Sequence, residues 1–448
     1  MNMGDLIGEH LSGLTNRLLE TASSNERFFV LGGSSQSIDN VPNKPFLCGW
    51  GMLDSVQINR RADLKNLDTF LKKYPGKWIF GHCCYEAGFL LEPHFEEQAV
   101  EPDSFSIASF FLPRYVAEPT AAGYRIWDQA QEKTVDPEEV LTETTKSNSA
   151  QTPVSLQDPP SRAAYIDTVR HLIQHLKRGD IYEINYCIPF RAAGHLENPL
   201  QTWINLHARQ QTPFGALYRE GKNWLLCGSP ERFMRKDGMK LKSEPIKGTA
   251  PRGATPEQDA LNREALQQSE KERAENVMIV DLVRNDLGRL SEPGSVQVDE
   301  LCGIYTFPGL HQMISTISGT LRPDVGFKAI LEALFPMGSM TGAPKIRAME
   351  LIQQHECFSR GLYSGTIGIV KPNGDFDFNV VIRSILYNEE LGRLTMPVGS
   401  AITANCNPES EYEECLLKAK GFHEGKRPLF LLQEFLSILM RNSIVERP

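Results

Sequence analysis

The 448-residue chain is long enough for one large domain or for two to three ordinary ones, and its 41% hydrophobic residues can form a sizeable buried core. Its net charge of −9 argues against a surface for nucleic acid or anionic membranes, so an anionic substrate would need a local basic pocket. Residues 1–20 include three acidic side chains and no long apolar run, which predicts neither a signal peptide nor a membrane span and favours the cytoplasm.

The first half of the chain, residues 1–130, is predicted to be mainly sheet. Short β-prone runs at 27–31, 77–80, 105–111 and 124–127 are separated by clusters of turn-forming residues. This half is therefore expected to form a β-rich N-terminal part of the fold.

A change in composition divides the chain at residues 131–160, which are mostly Thr, Glu, Ser, Gln, Asp and Pro. This stretch is predicted to be an exposed linker without a core of its own, because it offers little apolar surface to bury. After it, Ser161 can cap a helix whose apolar residues recur at helical spacing until Gly179. A strand is predicted next, at 181–190.

The remaining chain alternates between helical and extended patterns, which predicts an α+β fold. Helical patterns span 257–285, 326–334, 344–355 and 408–420, and extended runs span 213–219, 222–227, 364–370 and 378–387. The last two runs flank Asn373-Gly374, a strong signal for a hairpin turn. Residues 426–448 are predicted to form a C-terminal tail or helix.

Lys247 has unusual neighbours in the sequence. Pro245 stiffens the approach to it, and Gly248 allows the backbone to come close to a bound group. This context suits an amine placed at a site, but it also fits a surface turn with a solvated lysine. The neighbours alone do not decide between these two interpretations.

Two of the predicted helices carry acidic side chains on one face. Glu272 and Glu275 are three residues apart, as are Glu411 and Glu414, and Lys418 follows on the face of the second pair. Two facing pairs of carboxylates would suit Mg²⁺, which prefers oxygen ligands and keeps several waters. Solvated acidic helix faces are the alternative.

Several blocks of sequence after the predicted linker resemble the chorismate-utilising enzymes. The first four blocks are Gly179-Asp180-Ile181-Tyr182-Glu183-Ile184-Asn185, Ser229-Pro230-Glu231-Arg232-Phe233, Ala274-Glu275-Asn276 with 281–286, and Gly338-Ser339-Met340-Thr341-Gly342-Ala343-Pro344-Lys345. Three more blocks follow at 363–368, 381–384 and 399–418. The resemblance implies that 161–425 is a chorismate-binding catalytic region. It also implies a fold like that of anthranilate synthase, with two large, mainly antiparallel sheets packed as a sandwich and helices outside.

The resemblance also implies roles for individual residues. Glu275 and Glu414 look like direct Mg²⁺ ligands, with Glu272 and Glu411 in support through waters, so that the metal holds the ring carboxylate of chorismate. The implied substrate-binding residues are Thr249, Tyr363, Arg383, Gly399 and Lys418. Arg383 suits the enolpyruvyl carboxylate because a guanidinium can bind a carboxylate through two hydrogen bonds. An ion pair at a strand end is the alternative for Arg383.

Two further residues match the family's catalytic positions. Glu231 is similar to the general acid that protonates the departing 4-hydroxyl, a role that needs a carboxyl kept protonated; a plain loop carboxylate is the alternative. Lys247 resembles the lysine of members that aminate C4, whereas members that form anthranilate carry a small residue there. Its deprotonated amine would add at C2 as the 4-hydroxyl leaves, and ammonia would then enter at C4 and displace it.

Glu183 departs from the family's pattern. Aminating members usually have glutamine at this position, and isochorismate-forming members have a lysine that activates water, so the absence of lysine argues against isochorismate chemistry. A carboxylate there could take a proton from ammonium or from Lys247. A role in packing or hydrogen bonding is equally open.

The resemblance therefore implies Mg²⁺-dependent amination of chorismate at C4 through an adduct on Lys247. The product would be 4-amino-4-deoxychorismate, the precursor of 4-aminobenzoate and folate. No cysteine lies in a Gly-x-Cys-x-Gly nucleophile turn, so ammonia is expected from a separate glutamine amidotransferase subunit. Anthranilate synthase component I and a non-catalytic chorismate-fold binding subunit are the alternatives. Neither nucleic acid nor a membrane is an expected partner.

Overall fold

The structure, a computed structural model, describes residues 13–32, 46–97, 103–120, 123–141, 152–157 and 161–420, and the tail or helix predicted at 426–448 lies outside them. The helices are α1 (Gly13–Ser23), α2 (Lys65–Lys73), α3 (Ala87–Leu91), α4 (Pro137–Val140), α5 (Arg162–Arg178), α6 (Pro199–Gln210), α7 (Pro256–Gln268), α8 (Glu270–Gly288), α9 (Phe327–Leu334), α10 (Lys345–His355) and α11 (Pro408–Lys420). None of the described helices combines the length and the apolar character needed to cross a membrane.

The strands of the described chain fall into two sheets. They are β1 (Arg27–Gly32), β2 (Leu47–Ile58), β3 (Ile79–Cys83), β4 (Ala108–Thr120), β5 (Gly123–Asp128), β6 (Lys133–Val135), β7 (Thr152–Gln157), β8 (Glu183–His195), β9 (Phe214–Glu220), β10 (Asn223–Ser229), β11 (Arg232–Asp237), β12 (Lys240–Glu244), β13 (Ile246–Pro251), β14 (Gln297–Thr306), β15 (Leu310–Thr320), β16 (Gly342–Ala343), β17 (Thr366–Val370), β18 (Phe376–Val380), β19 (Ser384–Asn388) and β20 (Arg393–Ile402).

Every pairing between these strands is antiparallel. The first sheet has the order β7-β8-β20-β19-β10-β9-β1. The second has the order β4-β3-β17-β18-β11-β12-β15-β14, and β13 also pairs with β15. Because β2 pairs with both β1 and β4, hydrogen bonds continue from one sheet into the other.

Hydrophobic cores between the sheets and on their outer faces hold these layers together. The core between the sheets contains side chains from both of them, including Phe29, Phe80, Phe111, Tyr218 and Ile367. Helices α1, α5, α6, α10 and α11 cover the outer face of the first sheet, and α2, α3, α8 and α9 cover that of the second. The predicted α+β sandwich with helices outside is confirmed.

Local signals in the sequence account for several of these elements. Ser161 Oγ accepts a hydrogen bond from the Ala164 N–H at 3.3 Å and caps α5, which ends at Gly179 with a left-handed φ of 79°. The hairpin predicted at Asn373-Gly374 joins β17 to β18, with φ of 81° at Gly374. Both predictions are confirmed because each depends on neighbouring residues only.

The segment 131–160 differs from the exposed linker that its composition predicts. Within the described part, β6 pairs with β5 and β7 pairs with β8. The side chains of Val135 and Leu141 are buried. A few apolar residues are enough to attach short strands to a sheet edge, although the composition is polar. Residues 142–151 and 158–160 of this segment lie outside the described residues.

Two predicted elements are each divided in the structure. The helical pattern at 257–285 forms α7 and α8, because Ser269 has an extended backbone and its side chain caps α8 by accepting the Glu272 N–H. The extended run at 378–387 forms β18 and β19, separated at Arg383, whose φ of 51° is incompatible with a strand.

Candidate active site

Several predicted site residues come together beside two helices. Glu183 begins β8, Lys247 is the second residue of β13, and Glu231 lies in the short connection between β10 and β11. Helix α8 packs on β13 and β15, and α11 packs on β20. Lys271 Nζ of α8 lies 3.7 Å from Glu411 Oε1 of α11, so the two acidic helix faces meet at the site.

Lys247 is buried, with only 8% of its surface exposed, so it is not a solvated lysine on a surface turn. Its Nζ donates a hydrogen bond to Glu183 Oε1. Burial lowers the pKa of Lys247, but the carboxylates of Glu183, Glu275 and Glu231 raise it by more, and the net shift is upward. The side chain is thus an ammonium group that must lose a proton before it can act as a nucleophile.

Gly248 lets β13 pass close to α8, as its position after Lys247 suggests. Its φ is 96°, and a Cβ atom there would lie 3.1 Å from Glu272 Oε2 and 3.2 Å from Glu272 Cβ. A larger residue would therefore be strained in its backbone and would press on α8. Thr249, the next residue, is exposed, and its predicted contact with substrate stays a prediction.

Glu183 is fully buried. Its Oε1 accepts the hydrogen bond from Lys247, whereas its Oε2 has no hydrogen-bond partner among the described residues. The backbone of Glu183 is held by pairing with Ala343 in β16, and Gly342 approaches so closely that a Cβ there would lie 2.1 Å from the Glu183 carbonyl oxygen. The carboxyl group is therefore fixed against the lysine.

Glu231 is buried, and burial raises its pKa to about 7. A hydrogen bond from Ser339 Oγ to Glu231 Oε1 at 2.8 Å and the charge of Lys247 act in the opposite direction but do not cancel the effect. The side chains of Glu231 and Ser339 line a narrow cavity together with Pro245 and Gly338. Glu231 can thus hold a proton near neutral pH, as a general acid must.

The predicted metal-binding carboxylates differ in their surroundings. Burial raises the pKa of Glu275 to about 7. Burial also raises the pKa of Glu411, whose Oε2 accepts a hydrogen bond from Ser400. Burial acts upward on Glu414 as well, but its 2.7 Å ion pair with Lys418 prevails and lowers the pKa of Glu414 overall. Burial therefore favours the protonated forms of Glu275 and Glu411, whereas Lys418 favours the ionised form of Glu414.

The chemistry of this donor set fits Mg²⁺. Glu275 Oε1 is buried without a hydrogen-bond partner in the described chain, and Lys271 Nζ lies 3.9 Å from it. The same ammonium group lies near Glu411, so a cation already occupies the space between the helices. Among the residues that the structure describes, no three acidic, His or Cys side chains converge as a metal site. A divalent ion would therefore require these side chains to move towards it.

Arg383 is a candidate for binding a carboxylate. Burial lowers the pKa of its guanidinium, and Tyr363, buried nearby, is close enough to affect it. No carboxylate within the described ranges forms an ion pair or hydrogen bond with Arg383, so a strand-end ion pair does not explain it. Its left-handed φ of 51° is unusual for a residue with a side chain and is typical of functional sites.

Gly399 and Lys418 lie next to each other, as their matching positions imply. Lys418 Nζ donates a hydrogen bond to the Gly399 carbonyl at 2.8 Å. Gly399 pairs with Cys187, and a Cβ at Gly399 would lie 2.4 Å from Asn185 Oδ1 and 2.6 Å from Cys187 Sγ. A side chain at this position would overlap both atoms unless they moved.

Three side chains at the site were not singled out from the sequence. Ser339 lies inside one of the matching blocks, and Lys271 lies between acidic neighbours that suggest only a solvated helix face. Ser400 directly follows Gly399, which the resemblance assigns to substrate binding. Ser339 pairs with Glu231, and Ser400 pairs with Glu411. Lys271 lies near both Glu275 and Glu411. Only the fold brings these pairs together.

Comparison with known proteins identifies the family of the chain. The family of chorismate binding enzymes matches residues 18–424. Aminodeoxychorismate synthase component 1 of Escherichia coli is 35% identical over 290 residues, which are 65% of this chain and 61% of that protein. The chloroplastic aminodeoxychorismate synthase of Arabidopsis thaliana is 42% identical over 278 residues, 61% of this chain and 30% of that protein. The matches thus span less than two thirds of each of these relatives.

Solved structures share the fold. Anthranilate synthase component I from Streptococcus pneumoniae has a TM-score of 0.68 at 22% identity and covers 88% of this chain and 91% of its own. The menaquinone-specific isochorismate synthase from Escherichia coli has a TM-score of 0.69 at 16% identity, with 90% of each chain covered. At such identities the likeness establishes the fold alone. With the family match extending over most of its length, the chain belongs to the chorismate binding enzymes.

Proposed function

We propose that this chain aminates chorismate at C4 and forms 4-amino-4-deoxychorismate, a precursor of 4-aminobenzoate and folate. The observation that carries the proposal is a buried lysine, Lys247, hydrogen-bonded to Glu183 and close enough to Glu231 for each to shift the pKa of the other. The relatives named aminodeoxychorismate synthase support the reaction class.

In the first half of the reaction, the neutral amine of Lys247 forms a bond to C2 of chorismate. The two ring double bonds shift and the bond between C4 and oxygen breaks. Glu231 donates its proton to the departing hydroxyl, which leaves as water. Because burial raises the pKa of Glu231 to about 7, this carboxyl can hold the proton near neutral pH.

In the second half, ammonia forms a bond to C4 and the double bonds shift back. The bond between C2 and the lysine nitrogen breaks, and the amine of Lys247 leaves as a neutral group. The ionised Glu231 then takes a proton from the new ammonium substituent. Chorismate and ammonia have become 4-amino-4-deoxychorismate and water, and both side chains have returned to their starting states.

Four carboxylates on α8 and α11 are the proposed metal ligands. Mg²⁺ bound by Glu275 and Glu414, with Glu272 and Glu411 in support through waters, would neutralise the ring carboxylate of chorismate. The buried Oε1 of Glu275, which has no hydrogen-bond partner in the described chain, supports this assignment.

The enolpyruvyl carboxylate would be bound by basic groups. Arg383 has no carboxylate partner in the described chain, and Lys418 lies beside Gly399. The buried Tyr363 and the exposed Thr249 are the other proposed contacts. A local basic pocket of this kind lets a chain with a net charge of −9 accept a dianion.

We also propose that ammonia comes from a separate glutamine amidotransferase subunit. The sequence lacks a Gly-x-Cys-x-Gly nucleophile turn. The relative from Escherichia coli is named component 1, a name that suits a protein with a second component. The chain alone should then need a high concentration of ammonium.

A product assay tests the reaction. The purified chain is supplied with chorismate, Mg²⁺ and ammonium, and aminodeoxychorismate lyase is added to convert the product to 4-aminobenzoate. We expect 4-aminobenzoate, and we expect mass spectrometry of enzyme quenched without ammonium to find a chorismate-derived adduct on Lys247. Lys247→Ala should lose the adduct, whereas Lys240→Ala, at an exposed lysine on β12, should keep it.

Two other results would replace the proposal. Fluorescent anthranilate without 4-aminobenzoate would make the chain an anthranilate synthase component I. No loss of chorismate absorbance with Mg²⁺ and ammonium would favour a non-catalytic binding subunit.

A further inference from the structure

Glu183 has a hydrogen-bonding pattern that a purely structural carboxylate would not need. Its side chain is fully buried, and its only hydrogen-bond donor among the described residues is Lys247 Nζ. Its other oxygen, Oε2, has no partner within the described ranges. A buried ionised carboxylate is usually held by several donors, because each unpartnered oxygen has lost its hydration.

The charges that face Lys247 explain what this carboxylate can do. They are Glu183 through a direct hydrogen bond, and Glu275, Glu231 and Glu414 at longer range. While Lys247 is an ammonium group, its nitrogen has no lone pair with which to attack a carbon. Transfer of one proton to Glu183 turns a buried ion pair into a neutral amine and a neutral acid. The unpartnered Oε2 then belongs to an uncharged group, which is less costly to bury.

We propose that Glu183 is a catalytic residue that takes the proton of Lys247 along their existing hydrogen bond and so releases the amine that attacks chorismate. The inference rests on the proposed function, because it needs Lys247 to act as the nucleophile. An N–H bond of Lys247 breaks and an O–H bond forms on Glu183 Oε1. When ammonia later expels Lys247 as a neutral amine, Glu183 returns the proton, so the cycle closes without any oxidant or reductant.

Glutamine in place of Glu183 gives a direct test. Glu183→Gln has the same shape and can still accept the hydrogen bond, but it cannot take a proton. Glu275 and Glu231 remain in this variant and still favour the ammonium form of Lys247. The variant must therefore draw on the small fraction of lysine that is neutral at the ambient pH.

The experiment measures the rate of adduct formation on Lys247 in single turnover without ammonium, by mass spectrometry at several pH values. At neutral pH we expect Glu183→Gln to be about 100-fold slower than the unmodified chain. The rate for Glu183→Gln divided by the rate for the unmodified chain should rise about tenfold per pH unit. The reason is that the neutral fraction of a lysine rises in that way below its pKa. The ratio cancels the titration of Glu231, which both proteins share.

A second variant and a binding measurement separate catalysis from structure. Glu183→Asp keeps a carboxylate, so its rate of adduct formation should fall less than that of Glu183→Gln. The rate for Glu183→Asp divided by that for the unmodified chain should not change with pH. Calorimetry with chorismate and Mg²⁺ should show unchanged affinity for Glu183→Gln.

Three results would overturn the inference. The first is a Glu183→Gln variant that forms the adduct at the unmodified rate at every pH, and it leaves the proposed function intact. The second is equal loss of chorismate binding in both variants, which would make Glu183 structural. The third is absence of any adduct in the unmodified chain, which would also remove the lysine route of the proposed function.

Discussion

Ser339 Oγ donates a hydrogen bond to Glu231 Oε1 at 2.8 Å and so links the proposed general acid to the turn that follows α9. This hydrogen bond favours the ionised form of Glu231, whereas burial favours the protonated form and has the larger effect. The pKa of about 7 is the balance of the two. Ser339 therefore adjusts the pH range in which the acid can work.

Ser339→Ala should move the alkaline limit of activity upwards. Glu231 is active when protonated, so kcat/KM should fall as the pH rises through about 7. Removing a donor to the carboxylate raises that pKa further, by about half to one unit for a hydrogen bond of ordinary strength. The pH profile of kcat/KM with chorismate measures the shift. Ser295→Ala, at a half-buried serine whose hydroxyl donates to the Glu292 carbonyl, is the control, and an alkaline limit that stays in place or moves down would contradict the prediction.

Arg383→Lys should weaken chorismate binding although it keeps the charge. An ammonium group cannot make the paired hydrogen bonds by which a guanidinium binds a carboxylate. Loss of one charge-assisted hydrogen bond costs about 1.5–3 kcal/mol, so KM should rise about 10-fold to 100-fold. Steady-state kinetics test this, with Arg393→Lys at an exposed position of β20 as the matched control. Equal effects of the two substitutions would remove Arg383 from the substrate site.

The sequence predicted elements whose signals are local and missed relationships that depend on distant residues. Helix α5 was predicted correctly because Ser161 and Gly179 define its ends without help from the rest of the fold. For Lys247, Pro245 and Gly248 left a surface turn open, and only the resemblance to a family placed it in a site. Its burial results from the packing of α8 on β13, which no local pattern encodes.

Contacts within the site also join residues that are distant in the sequence, so local patterns do not predict them. Glu183 and Lys247 are 64 positions apart, so their hydrogen bond could not be predicted from spacing. Lys271 looked like part of a charged helix face, and its approach to Glu411 depends on where α11 lies. Arg383 was assigned from a matching block, but its left-handed backbone depends on the join between β18 and β19.

Gly399→Ala should destabilise the first sheet. A methyl group would lie 2.4 Å from Asn185 Oδ1 and 2.6 Å from Cys187 Sγ, and both atoms are buried. Overpacking of this kind costs about 1–3 kcal/mol in the free energy of unfolding, which urea unfolding measures. Gly288→Ala, at the end of α8, meets no atom within 4 Å and should be neutral or stabilising by up to about 1 kcal/mol. Similar unfolding curves for the two variants would show that β8 and β20 can separate to make room.

Lys271→Gln should strengthen the binding of Mg²⁺ to the chain in the absence of chorismate. Its ammonium group lies 3.9 Å from Glu275 Oε1 and 3.7 Å from Glu411 Oε1, where it competes with a divalent ion for the same carboxylates. The lysine side chain is 55% exposed, so solvent screens the interaction, and we expect about 0.5–1 kcal/mol, or a two- to five-fold lower Kd. Titration calorimetry with Mg²⁺ alone measures this without any turnover.

A matched substitution separates this local effect from a change in net charge. Lys240→Gln removes a lysine of similar exposure that pairs with Asp299. It should leave the affinity for Mg²⁺ unchanged, because Asp299 is on β14 and not among the proposed ligands. If Lys271→Gln weakened Mg²⁺ binding instead, the ammonium group would be holding α8 and α11 in position for the metal, since its removal would then let the carboxylates of the two helices move apart.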